Sequence, residues 1–219
     1  MSIRTILFDL DGTLLNTNEL IRASFEHTFE KFQMHFSPEE IKALNGPPLN
    51  ETFREINPDQ SEQMIATYRE YNMREHDHYV EAFPYVYETI KQLHEAGITL
   101  GIVSTKIRKT VMMGLELTKL TDFFSVIITY NDVIHKKPDP EPVKKAMSLL
   151  DANPETTLMV GDNFHDIVSG QRAGTQTAAV SWSEKKEDFL KSYHPTYYLD
   201  TIRDLLTVAG ERHAENRKV

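Results

Sequence analysis

From residue 98 onward the chain repeats one rhythm, a short apolar run rich in β-branched residues followed by a stretch with helical spacing. The runs 98–104 (ITLGIVS), 125–130 (SVIITY), 156–162 (TTLMVGD) and 176–182 (QTAAVSW) are continuously apolar. That is the pattern of strands buried on both faces of a parallel sheet. Helical patterns precede and separate them: "YVYETIKQLHEAG", "KTVMMGLELTKL", "PEPVKKAMSLLD" and "DIVSGQRAG", with Gly97 and Gly174 standing where two of them stop. Alternating strand and helix requires right-handed crossovers, so the expected class is α/β, a three-layer sandwich of helix, parallel sheet and helix. Residues 3–9 have the composition of a further strand in the same sheet.

The stretch 16–81 follows a different rule, with no strand pattern in it. "NELIRASFEHTFEKF" puts Leu20, Ile21, Ser24, Phe25, Thr28, Phe29 and Phe32 on one helical stripe. "SPEEIKAL" combines Ser37 as a cap, Pro38 in the first turn and Glu40 completing a capping box. "SEQMIATYREYNMREH" is a third long helical pattern, and Gly46-Pro47-Pro48 opens another. The expectation is a helical insertion over 16–81 in a catalytic core made of 1–15 and 82–212, with Pro84 at the return crossing and a polar tail over 213–219.

A formal net charge of −9 argues against a nucleic-acid partner, which demands a basic face. The absence of cysteine excludes disulfides, thiol chemistry and zinc held by thiolates, and fits a reducing cytoplasm. No apolar stretch approaches the roughly 20 residues that span a bilayer, and the N-terminus lacks the pattern of a secretory signal. The expected partner is a small molecule.

Ligands of open parallel sheets bind at the carboxyl ends of the strands. There the sequence places Asp9 and Asp11 with Gly12 and Thr13, then Ser104, Thr105 and Lys106, then Lys136 and Lys137, then Asp162 and Asn163 with Asp166. Acids, hydroxyls and a lysine without clustered histidine or cysteine suit Mg²⁺ and a phosphoryl group. Simpler readings exist for each: an Asp-Gly turn at Asp11, a helix cap at Ser104 and Thr105, and an N-cap with a first-turn acid at Asp162 and Asp166. His76 and His78, two apart on a helix, cannot easily share an ion and are expected on the solvated surface. The like charges of Asp9 and Asp11 are expected to raise the pKa of one of them.

"DLDGT", a hydroxyl residue after the second run, lysine before proline, and "GDNFHD", in this order, resemble the haloacid dehalogenase superfamily of phosphohydrolases. The helical block at 16–81 is similar to that superfamily's inserted cap. The resemblance implies Asp9 as the nucleophile that becomes an aspartyl-phosphate, and Asp11 as general acid and then base. It implies Mg²⁺ on Asp9, Asp162 and the backbone carbonyl of Asp11, with Asn163 and Asp166 in support. Gly12, Thr13, Ser104 and Thr105 are then expected at the phosphate, and Lys137 on the nucleophile and the phosphoryl oxygens. Gly46 and Pro47 of the cap would bend toward the substrate, while Lys106 and Arg108 would reach a second anionic group. Longer stretches, "NGPPLNETF", "STKIRKTV" and "KKPDPEPV", resemble the inorganic pyrophosphatases of the superfamily. Phosphoglycolate phosphatase is the alternative, and a regulator that binds a phosphorylated ligand without turnover is a third reading.

Overall fold

The structure is a computed structural model that describes residues 2–210. The expected polar tail and the last two residues of the expected core lie outside the described residues. The chain begins with β1 (Thr5–Phe8), which is buried throughout, and a short β2 (Leu15–Asn16). Four helices follow, α1 (Asn18–Lys31), α2 (Pro38–Ala43), α3 (Leu49–Ile56) and α4 (Ser61–Tyr79), before β3 (Glu81–Ala82). Then strand and helix alternate: α5 (Val86–Glu95), β4 (Thr99–Val103), α6 (Arg108–Leu117), β5 (Val126–Ile128), α7 (Glu141–Leu149), β6 (Thr157–Gly161), α8 (Phe164–Ala173) and β7 (Gln176–Val180). The described chain closes with α9 (Glu187–Lys191), β8 (Tyr197–Leu199) and α10 (Asp204–Gly210).

Six strands form one parallel sheet in the order β5-β4-β1-β6-β7-β8. The sequence predicts all of these except β8, a three-residue strand too short to show a period and recruited by pairing with Ala178–Val180. The direction of strand addition reverses between β1 and β6, which opens a crevice at their carboxyl ends. Successive residues of β1 serve opposite layers. Ile6 and Phe8 pack with apolar residues of α5, α6 and α10, whereas Leu7 packs with those of α7. Each such side chain removed from water stabilises the fold by roughly 1.5–3 kcal/mol.

The helices α1–α4 gather a separate apolar cluster around Phe25, Phe29, Ile41, Phe53, Met64 and Tyr68. The Phe25 ring lies 5.5 Å from that of Phe53 and 4.9 Å from that of Tyr68. The α1 stripe is buried from Leu20 to Phe29, and Phe32 packs half-buried at its end. Ser37 accepts from the Glu40 amide at 3.3 Å and donates its own amide to Glu40 at 2.7 Å, a complete capping box. The chain leaves and returns side by side, because β2 and β3 pair antiparallel, Leu15 with Ala82 and Asn16 with Glu81.

His76 departs from the surface position expected of it: it is 1% exposed, whereas His78 is solvated. Met64, Tyr68, Asn72 and His76 recur at four-residue spacing and form the buried face of α4, which packs on α1 and α6. Along that face Asn72 Nδ2 donates to Ser24 Oγ at 3.1 Å.

Candidate active site

Strand β1 stops at Phe8, but Asp9 still donates its amide to the Val160 carbonyl at 2.9 Å, so its position is fixed by the sheet. The chain then turns at Gly12, whose φ is +74°, and the Gly12 amide bonds the Leu15 carbonyl at 2.8 Å. A Cβ on Gly12 would stand 2.5 Å from Asp162 Oδ2, so glycine is required twice over, for its conformation and for the close approach. Gly161, at the end of β6, is needed opposite for close approach alone: a Cβ there would overlap the Asp166 side chain at 2.2 Å.

Lys137 organises the floor. Its buried ammonium donates to Asp9 Oδ1 at 2.6 Å, to Asp166 Oδ1 at 2.6 Å and to the Val103 carbonyl at 2.7 Å, using all three protons. The neighbouring Lys136 instead bonds the Val133 carbonyl and lies over the Tyr130 ring, 4.3 Å from its centroid. Burial works against the charge on Lys137, but Asp166 and Asp9 outweigh it and hold its pKa above the ordinary lysine value. Burial pushes the Asp9 carboxyl up to about 7; Lys137 pulls against this, and Asp166 and then Asp11 add to it. The leading cause is therefore desolvation rather than the Asp9–Asp11 repulsion expected from the sequence. Asp162 is pushed well above the ordinary carboxyl value, again by burial first and then by Asp166 and Asp9.

Asp166 joins two roles that the sequence left open. One oxygen receives Lys137; the other accepts the Asn163 amide at 3.1 Å, closing a capping box at the start of α8. Asn163 is the N-cap of that helix, with Oδ1 3.0 Å from His165 Nδ1. Burial holds the His165 pKa below its ordinary value.

Asp9, Asp162 and Asp166 each offer a carboxylate oxygen within 4.8 Å of one another. Three crowded carboxylates, two of them with raised pKa, without histidine or cysteine, fit a hard divalent cation. Asp11 is not part of this side-chain cluster. Its carboxylate turns to Lys106, which donates to Oδ1 at 2.6 Å. A second cluster of His135, Asp139 and Glu141 lies nearer the surface, with its carboxylates engaged by the amides of Ile134, His135 and Glu141.

Between this floor and the helices α1–α4 lies a cleft of about 110 Å³. From the predicted set it is lined by Asp9, Asp11, Gly46, Pro47, Thr105, Lys106, Lys137, Asp162, Asn163 and Asp166. Gly12, Thr13 and Ser104 are not among the lining residues. Thr13 is fully buried, with its carbonyl accepting from Trp182 Nε1 at 3.1 Å. Ser104 Oγ accepts the Lys106 amide at 3.1 Å. Arg108 points away from the cleft to Asp132 and the Ile127 carbonyl, both at 2.8 Å, so it does not reach toward a second anion. Phe25, placed by the sequence on the α1 stripe, serves both the α1–α4 cluster and the wall of the cleft. Gly46, with φ +122°, brings the roof down on the floor; a Cβ there would stand 2.4 Å from Asn163 Nδ2.

Sequence reasoning missed Asn50, Arg69, Asn72 and Tyr130 on the lining, because their contacts cross between helices and loops far apart in the chain. Asn50 was within reach, as the first polar residue after Gly46-Pro47-Pro48. It also missed the segment after β7. There Ser183 Oγ donates to the Asp162 carbonyl at 2.6 Å, and Lys185 Nζ to the Asn45 carbonyl at 3.2 Å, tying floor and roof together.

Paired carboxylates at the ends of two neighbouring parallel strands, a lysine fixed between them and a helical roof define a class of hydrolase built on a doubly wound sheet. The chain belongs to the haloacid dehalogenase-like hydrolase family, whose model matches residues 6–180. Among individual relatives, Pyrophosphatase PpaX of Oceanobacillus iheyensis is 61% identical over 214 residues, spanning 98% of this chain and 100% of that one. Pyrophosphatase PpaX of Anoxybacillus flavithermus is 52% identical over 211 residues, spanning 96% of this chain and 98% of that one. A solved haloacid dehalogenase-like family hydrolase from Streptococcus pneumoniae shares the fold, with TM-score 0.83 at 24% identity over 94% of this chain and 97% of that one. Relatives of this identity and coverage make the chain a phosphohydrolase.

Proposed function

We propose that the protein is a cytoplasmic, Mg²⁺-dependent inorganic pyrophosphatase that works through an aspartyl-phosphate on Asp9. Full-length relatives described as pyrophosphatases support the substrate. The observation that carries the mechanism is the Asp9 carboxylate, held by Lys137 at 2.6 Å at the carboxyl end of the central strand. Lys137 occupies Oδ1, which leaves Oδ2 to attack phosphorus. The new bond is Oδ2–P; the bond that breaks is the bridging P–O bond, and its electron pair leaves with the second phosphate. Phosphate is a weak base, so its departure asks little of Asp11 as an acid. In the second half, Asp11, steadied by Lys106, takes a proton from a water that attacks the aspartyl-phosphate; the acyl-phosphate bond breaks at phosphorus and Asp9 is regenerated.

Asp9 and Asp162, with Asp166 beside them and the Asp11 carbonyl, would hold the Mg²⁺, which when bound neutralises charge on the phosphoryl oxygens. The Thr105 backbone, on the cleft lining, would supply a further donor to those oxygens, while Ser104, set back from the lining, steadies that loop by accepting the Lys106 amide. Domain division follows the same reading: the core made of 1–15 and 82–212 does the chemistry, and 16–81 covers it as a cap. The deciding experiment measures phosphate released from pyrophosphate and from 2-phosphoglycolate with Mg²⁺, by the native protein and by Asp9→Asn. Release from pyrophosphate that disappears in Asp9→Asn is the expected result. Release chiefly from phosphoglycolate would reject the substrate, and activity surviving in Asp9→Asn would reject the mechanism.

A further inference from the structure

The cations that line the cleft are not equivalent. Lys137 is committed to Asp9 and Asp166, and Lys106 to Asp11. Arg69, reaching in from α4, has no carboxylate partner among the described residues; its Nη2 donates to the amide oxygen of Asn50 at 3.0 Å. The roof as a whole contributes no carboxylate to the lining, only amides, apolar side chains, the Tyr68 phenol and this one guanidinium. Arg69 is half-buried on a lining it shares with Phe25 and Leu49, and partial removal from water strengthens its attraction for an anion. Four of the five guanidinium donors remain for that anion, in a fork that matches a phosphate edge. Arg69 is also registered against the floor: Asn50, which holds it, donates through Nδ2 to the Tyr130 hydroxyl at 3.2 Å, and Tyr130 follows β5.

We propose that Arg69 is a specificity residue that grips the second anionic group of the substrate, the group that leaves rather than the one transferred to Asp9, and that Asn50 and Tyr130 set its aim. Naming that group as phosphate rests on the pyrophosphatase reading. The geometry asks only for an anion on the roof side of the reacting phosphorus. The charge that the sequence sought in Lys106 and Arg108 is thus supplied from the opposite wall.

The test compares the full-length native protein with Arg69→Gln and Asn50→Asp, the latter an isosteric change that sets a carboxylate against the guanidinium. With Mg²⁺, kcat/KM is measured for pyrophosphate and for p-nitrophenyl phosphate, whose leaving group carries no second anion. Loss of a charge-assisted contact predicts that the ratio of the two falls about 10- to 100-fold in Arg69→Gln, mainly through KM for pyrophosphate. Arg69→Lys should recover part of it, and Asn50→Asp should shift the ratio the same way. A parallel fall for both substrates, or an unchanged ratio, overturns the proposal. Calorimetric binding of methylenediphosphonate against methylphosphonate separates this proposal from the pyrophosphatase reading. If the native protein does not cleave pyrophosphate, that reading fails. The role of Arg69 then stands if its loss weakens the diphosphonate selectively, and falls if both ligands weaken alike or neither binds the native protein.

Discussion

On the floor of the cleft each lysine is matched by carboxylates, Lys137 by Asp9 and Asp166 and Lys106 by Asp11, whereas on the roof Arg69 meets, among the described residues, only the neutral amide of Asn50. The floor is braced by the sheet, with Asp9 bonded to Val160 and Gly161 pressed on Asp166. The roof stands on an apolar cluster of its own and touches the floor through few polar contacts, Asn50 to Tyr130 and Lys185 to Asn45 among them. Chemistry needs charges fixed to fractions of an ångström, and a parallel sheet supplies that rigidity. Selection needs a charge left free for the ligand, and a separately packed helical unit can present one without disturbing the reacting groups.

The largest effect should come from the floor: Asp9→Asn should lower phosphate release by at least about 10⁴-fold, as loss of the proposed nucleophile would, in a steady-state assay with Mg²⁺. Lys137→Met tests whether the floor depends on its internal pairing. It strands Asp9 and Asp166 without their counter-charge and should cost about 3–5 kcal/mol in denaturant unfolding. An unchanged midpoint would show that the carboxylates find relief elsewhere.

Phe53→Ala probes the roof with a similar loss, about 3–5 kcal/mol, because Phe53 is fully buried in the cluster of α1–α4. Hydrogen exchange should then speed up in α1–α4 while β1, β4 and β6 keep their protection. Equal acceleration in both would dissolve the distinction between the two regions.

Proton linkage sharpens the picture of the floor. Asp9 has its folded-state pKa raised from 3.8 to about 7, and Asp162 is raised as well. Between those pH values the folded protein keeps protons that the unfolded chain has released. These groups therefore lower the stability of the Mg²⁺-free protein as pH rises from about 4 to about 7. Added Mg²⁺ favours the charged carboxylates, so the Mg²⁺-induced rise in Tm should be larger at about pH 7.5 than at about pH 5, and smaller in Asp162→Asn. A rise independent of pH would mean that the cation does not bind among these carboxylates. The smallest effect belongs to the exposed capping box of α2, where Ser37→Ala should cost about 1 kcal/mol and leave turnover on the floor unchanged.

The amino-acid sequence by itself determined the strand–helix rhythm, because apolar runs with period and punctuation are local properties that survive without tertiary context. It determined the acids at the ends of β1 and β6 for the same reason: a buried run interrupted by Asp9, or ended by Gly161-Asp162, is conspicuous in one dimension. It also showed the α1 stripe and the Ser37 box. Strand β8 escaped because three residues carry no period and its pairing with β7 is non-local. His76 was misplaced because its burial depends on which face of α4 meets α1 and α6. The family pattern already chose Lys137 over the adjacent Lys136; only the tertiary structure turned Asp11 to Lys106 and Arg108 to Asp132, and brought Arg69 over the site. Charge pairing acts through space over a few ångströms, and nothing in the order of residues states which distant groups will lie that close.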